Sequence, residues 1–298
     1  MRSRSARSFA EQALARLAVH LGEEERSAIV VVGGLNPELL APVTEAPHQG
    51  TADVDLVVQV GMVYDRGDMD FGWLERALTA AEFAPVGEGR GWQWVTAVGG
   101  SAVRVDLLTD VLDHRGQQLA LPGCTRATVM NVAGPSPALR APVVRRLPVD
   151  LPEEVTPSEV DVQFANLGAY LLAKSAAVIG RREDRDPYDL GFVVVHNHAG
   201  GALAAARAAY AELPAGRELE FAAGFRAALR QLTEPGGSAA RIYAEQRSLD
   251  GDALPLEVLA ADAASAAAQC LAEFDRLVHD PAGRPAQPLN PFVRSADL

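Results

Sequence analysis

The chain is predicted to be an α+β protein, a mixed β-sheet with interspersed helices followed by an α-helical bundle. Three observations carry that prediction. Short runs rich in β-branched residues, at residues 30–32, 56–60, 102–108 and 143–147, all fall in the first half of the chain. They are too short for helices of ten or more residues and have the composition of strands. Beyond residue 157 the apolar residues recur at helical spacing, in Ala-rich segments separated by Pro-Gly and Asp-Gly breaks. Between the two regions lies Pro148 to Pro157, with three prolines and an acidic pair, a composition suited to a linker. The expected domains are residues 1–150 and residues 151–298, the second ending in a loosely ordered tail from about residue 281 that carries four prolines.

Taken in order, residues 7–21 place Phe9, Leu14, Leu17, Ala18 and Leu21 at helical spacing, an amphipathic helix expected to act as a lid. Asn36-Pro37 and Ala41-Pro42 bound a short helical segment, and Pro47 to Gly50 form a loop. A turn at Asp65-Arg66-Gly67 leads into a helix from Asp68 to Phe83, with Phe71, Leu74, Leu78 and Ala81 on one face. The strand at residues 92–95 should pair with that at residues 102–108 through a turn at Gly99-Gly100. After the linker, Ser158 to Gly180 reads as one long helix, with Ser158 as its N-cap, Glu159 and Asp161 in its first turn and Gly180 as its stop. Asp186-Pro187-Tyr188-Asp189 opens the next helix, and four further helical segments between residues 202 and 278 complete a bundle.

Composition narrows the function classes. With 298 residues and 48% hydrophobic content, the chain is long enough for two domains and is globular rather than disordered. Its net charge of −12 argues against a protein whose sole task is nonspecific nucleic-acid binding, which needs basic surface. Cys124 and Cys270 have neither metal-ligand spacing nor a disulfide framework, so reduced thiols are expected. No apolar stretch approaches the roughly twenty residues that span a bilayer. The basic start (Arg2, Arg4, Arg7) lacks a signal-peptide core, so a cytoplasmic protein without membrane partners is expected.

The chemistry-bearing residues cluster in the sheet region. Gly33 and Gly34 end the first strand. Asp53 and Asp55, two residues apart on the second, share a face and sit about 6.6 Å apart along it. Two bare carboxylates at that distance repel by roughly 2.5 kcal/mol at an effective dielectric of about 20, a cost that a divalent cation would reverse. Asp106, in a strand alternating polar and apolar residues beside Arg104 and Leu108, can join them if the strands are neighbours. Such an acid cluster suits two Mg²⁺ ions, hard cations that keep positions open for phosphate oxygens. Lys174 falls on an apolar helical face beside Tyr170, Leu171, Ala177 and Val178, so its ammonium either reaches water or meets an anion. Arg181, Arg182 and Arg185 follow, where cations suit a helix C-terminus or phosphate. His48, in the loop before Asp53, is read as a supporting or surface residue rather than the base itself.

Gly33-Gly34, Asp53-Val54-Asp55 and the strand acid Asp106 together resemble the signature of the polymerase-β-like nucleotidyltransferases. Lys174 with Arg185 to Leu190 is similar to the closing stretch of the AbiEii branch, toxins of toxin–antitoxin and phage-defence systems. The resemblance spans roughly residues 25–195, with a Gly34-to-Asp53 loop longer than is usual in the family. It implies a polymerase-β-like sheet and transfer of an NMP group from an NTP to an acceptor hydroxyl, an RNA end such as that of tRNA. Asp53, Asp55 and Asp106 would then hold Mg²⁺, Gly33 and Gly34 would face the phosphates, Lys174 would hold the triphosphate, and Asp186 or Asp189 would act near the lysine. A cognate antitoxin or regulator is the implied partner. A small-molecule (antibiotic) nucleotidyltransferase and a non-catalytic nucleotide-binding partner protein remain as alternatives.

Overall fold

The computed structural model describes residues 3–280, except 44, 52, 62–66, 151–157, 182 and 184. The tail from residue 281, most of the linker, Arg2, Asp65, Arg66 and Arg182 lie outside the described residues.

A mixed α/β region is followed by a C-terminal helical bundle. Helix α1 (Arg4–Val19) starts where the Ser3 side chain accepts the Ala6 N–H, and a short α2 (Glu23–Ser27) leads into β1 (Ile29–Val31). A five-residue α3 (Asn36–Leu40) and a loop then deliver β2 (Asp53–Val58). Next come α4 (Gly72–Ala80), β3 (Ala84–Pro85), β4 (Gln93–Val98) and β5 (Ser101–Thr109). The β4–β5 hairpin closes Val98 on Ser101, with Gly99 and Gly100 at φ of 57° and 77°, a backbone that L side chains resist. Strands β6 (Gln118–Ala120), β7 (Thr128–Asn131), β8 (Val143–Pro148) and β9 (Glu159–Phe164) complete one sheet that, among the described residues, has nine strands. Its main path runs β3-β4-β5-β2-β1-β9-β8, and β7 adds to β5 and carries β6.

Alternation along these strands sorts the side chains into two layers. Val31, Val54, Leu56, Val105 and Leu107 point to one face, where they form a core with Ala10, Leu14 and Leu17 of α1 and Leu74 and Leu78 of α4. Val30 and Val57 point to the other, where the bundle packs. Helix α1 is therefore no lid. Its buried stripe of Ala10, Ala13, Leu14, Leu17 and Ala18 pins it to the sheet face away from the carboxylates, because covering Val54 and Val105 removes more apolar surface from water than a mobile cover would.

The expected helix from Ser158 to Gly180 is divided. Glu159 to Phe164 is a strand, parallel to β1 and antiparallel to β8, and helix α5 (Leu167–Gly180) begins only at the Asn166 cap, whose side chain accepts the Ala169 N–H at 2.9 Å. Val160, Val162 and Phe164 alternate with Glu159, Asp161 and Gln163, a period of two that the acidic residues disguised as a helix start. The sheet thus draws on chain from both sides of residues 151–157. Helices α6 (Arg185–His196), α7 (Gly201–Ala211), α8 (Glu218–Leu232), α9 (Ser238–Leu249) and α10 (Leu256–His279) form the bundle. At the α5–α7 crossing, a Cβ on Gly168 would lie 2.1 Å from the Ala208 carbonyl oxygen, so only glycine permits that approach. Among the described residues no helix is long and apolar enough to cross a membrane.

Candidate active site

Strand pairing brings the three acids together. Because β2 and β5 run parallel in the register Asp53↔Arg104 and Asp55↔Asp106, all four side chains share the face that looks toward the bundle. The first glycine makes room for them. A Cβ on Gly33 would fall 1.9 Å from Asp55 Oδ2, and one on Gly34 would fall 2.5 Å from Thr51 Oγ1, so the glycine pair lets the end of β1 lie directly against the acid strand.

The carboxylates differ in environment. Burial pushes the Asp55 carboxyl above its usual range, against the pull of Lys174, Arg181 and Arg185. Burial, then the neighbouring Asp55, raises Asp106 to about 6, while Arg104 and a Gln93 hydrogen bond oppose the rise. Asp53, with 27% of its side chain exposed, is more open than Asp106, with 11%. Arginines bind the cluster as it stands. Arg104 is ion-paired with two of them, its Nη2 3.1 Å from Asp53 and its Nε 2.9 Å from Asp106, and Arg185 donates to Asp53 at 3.3 Å. Among the described residues no three His, Cys, Asp or Glu side chains are gathered so as to hold a metal. The carboxylates turn to guanidinium groups instead.

Helices α5 and α6 supply the opposite wall. Lys174 is 7% exposed, and its Nζ donates to Asp186 Oδ1 and Asp189 Oδ2, each at 3.0 Å. Burial works to lower the lysine pKa, but Asp189 and Asp186 outweigh it and the pKa is raised. Arg181 adds two bonds to Asp186, at 2.7 and 3.1 Å, and with Lys174 holds that carboxyl below its usual range despite burial. The anion at the lysine tip is therefore a pair of protein carboxylates from the next helix.

Two residues that sequence reasoning undervalued complete this network. His48, 1% exposed, meets Asp189 Oδ1 through Nε2 at 2.9 Å and stacks on Tyr188 at a centroid distance of 5.1 Å. Arg247 of α9, 2% exposed, donates to the Ala46 carbonyl and lies over Phe192. The long loop between Gly34 and Asp53 is thus fastened to the bundle and joins the acid strand to the lysine network. Only the apolar company of Tyr188 and Phe192 in the sequence could have hinted at a buried histidine partner.

Between the two walls lies a cavity of about 490 Å³, lined by Gly33, Asp55, Asp106, Lys174 and Arg181 among others. No family model matches the chain, and no curated protein matches it.

Proposed function

We propose that the chain is a nucleotidyltransferase of polymerase-β-like type, moving an NMP group from an NTP to an acceptor hydroxyl. The observation that carries this reading is the Asp55↔Asp106 register, which sets those two carboxylates side by side in a cavity that Lys174 and Arg181 also line, with Asp53 two residues along the same face. In a chain of net charge −12, Lys174 and Arg181 line one end of the cavity, and Arg104 and Arg185 pair with Asp53 beside it, cations that a phosphate ligand can engage.

Asp53, Asp55 and Asp106 are oxygen donors of the kind Mg²⁺ takes, and two of them sit with raised pKa values where a cation would relieve the burial of charge. They would hold the ion once Arg104, 36% exposed on its side chain, leaves them. Bound there, Mg²⁺ would neutralise phosphate charge and activate a hydroxyl. Lys174, through the one ammonium proton not given to Asp186 or Asp189, and Arg181 orient the outgoing phosphates. Asp106 takes the proton of the acceptor hydroxyl at a carboxylate oxygen. The acceptor reaches the cluster from the side of Asp53, which is more open than Asp106.

By its likeness to AbiEii toxins the acceptor is an RNA end such as that of tRNA, with a cognate antitoxin as partner. The acidic surface favours, as a second reading, a small acceptor such as an aminoglycoside. Purified protein incubated with labelled NTPs, Mg²⁺ and either total RNA or aminoglycoside distinguishes the two. Label on one acceptor, reduced at least about 100-fold by Asp55→Ala, is the expected result. Incorporation unaffected by the substitution removes the assignment, and Mg·NTP binding without turnover leaves a nucleotide-binding partner protein.

A further inference from the structure

The cavity does not end at the acids. Past Asp106 it continues along β5 onto β7, where Leu108, Met130 and Val132 form the wall with Trp92 and, from α5, Ala173. This half is mainly apolar, with Arg115 and Asn131 at its border, whereas the half at Gly33 carries Lys174 and Arg181. The polar side chains bordering the apolar half, and two of its backbone N–H groups, are engaged within the protein. Asn131 Nδ2 donates to the carbonyls of Val111 and Asp113 at 3.1 and 2.6 Å, and its Oδ1 accepts the Val111 N–H at 3.0 Å. Arg115 pairs with Glu220 through both terminal nitrogens, at 2.8 and 3.2 Å. The Gly116 N–H is bound to the Asn131 carbonyl and the Val132 N–H to that of Thr109, both at 2.8 Å.

We infer that this apolar half is a nucleobase subsite, which takes the base of the bound NTP by stacking on Trp92 and by contact with Leu108 and Met130 without reading its hydrogen-bonding edge. The assignment rests on the nucleotidyl-transfer reading and extends it to substrate choice. A cavity of about 490 Å³ lies in the range of small-molecule sites, and its split into a cationic and an apolar end matches a molecule that is triphosphate at one end and flat ring at the other. Every base has a π-face, so stacking tolerates all four, while discrimination needs donors and acceptors aimed at the edge. The protein is therefore a nucleotidyltransferase with little preference among ATP, GTP, CTP and UTP.

Calorimetric titration with tripolyphosphate and with each of the four NTPs, in Mg²⁺ and without acceptor, tests this. The wild-type protein is expected to bind every NTP at least about tenfold more tightly than tripolyphosphate, the four differing by no more than about threefold. Trp92→Ala should bring the NTPs down to the tripolyphosphate level while leaving tripolyphosphate affinity unchanged, which also shows that the variant is folded. Trp92→Phe should restore most of the difference. Equal wild-type affinities for tripolyphosphate and NTPs overturn the subsite and leave the phosphate site standing. A tenfold preference for one base overturns the edge-blind reading, as does a Trp92→Ala loss shared equally by tripolyphosphate. Failure of the wild type to bind either ligand overturns both this inference and the nucleotidyl-transfer reading.

Discussion

At the scale of single residues, the site is held by pairs that neutralise one another at short range. Lys174 would be costly to bury alone, and Asp186 and Asp189 make its burial tolerable. Asp189 is in turn shared with His48, so a loop histidine helps aim a helix lysine. Replacing His48 by Ala removes a buried hydrogen bond and a stacked ring together. It should cost roughly 2–4 kcal/mol in urea unfolding and weaken Mg·NTP binding, with His48→Gln recovering part of both. A His48→Ala protein as stable and as tight-binding as wild type would show that the contact has no positioning role.

Elements are joined by equally specific polar contacts. Glu75 of α4 accepts hydrogen bonds from the backbone N–H groups of Thr125, Arg126 and Ala127 and from the Thr125 hydroxyl, tying the helix to the entry of β7. Burial pushes its carboxyl up, but those four donors prevail and lower it to about 2. A carboxyl depressed in the folded state adds stability that is full above its unfolded pKa of 4.5 and vanishes as pH falls through about 2. Glu75→Gln should therefore have a lower urea midpoint than wild type at pH 7, and the gap should close between about pH 4.5 and 2. A gap independent of pH would mean that packing of the side chain, rather than its charge, is what matters.

For the whole molecule, one sheet serves two hydrophobic layers, so the bundle and the α1–α4 layer share a common support. Asp110, just past β5, fastens the two regions. Its carboxylate accepts from Gly134 N–H at 3.0 Å, Ser136 Oγ at 2.8 Å and Arg217, beside the start of α8, at 3.0 Å. Asp110→Ala leaves Arg217 with Glu220 as its carboxylate and removes the acceptor of the Gly134 N–H and the Ser136 hydroxyl, and should cost about 1–3 kcal/mol, read as a lower denaturant midpoint. An unchanged midpoint would remove Asp110 from the forces joining sheet and bundle.

Local pattern alone determined the strands β1, β2, β5 and β8, the β4–β5 hairpin, the helical character of residues 167–279 and the shared face of Asp53 and Asp55. Side-chain alternation, turn glycines and helical spacing are short-range properties, readable within a few residues. Tertiary structure decided what depends on which segments meet. It set the parallel pairing of β2 with β5 that brings Asp106 beside Asp55, the conversion of Glu159–Phe164 from an expected helix start to a strand between β1 and β8, and the placement of α1 on the far face. It also decided that His48 reaches Asp189 and that Arg104 lies across two acids. Those outcomes follow from burial and charge pairing between residues many positions apart, where the free energy of contact outweighs local preference; of them only the strand at Glu159–Phe164 left a local trace, the alternation of Val160, Val162 and Phe164.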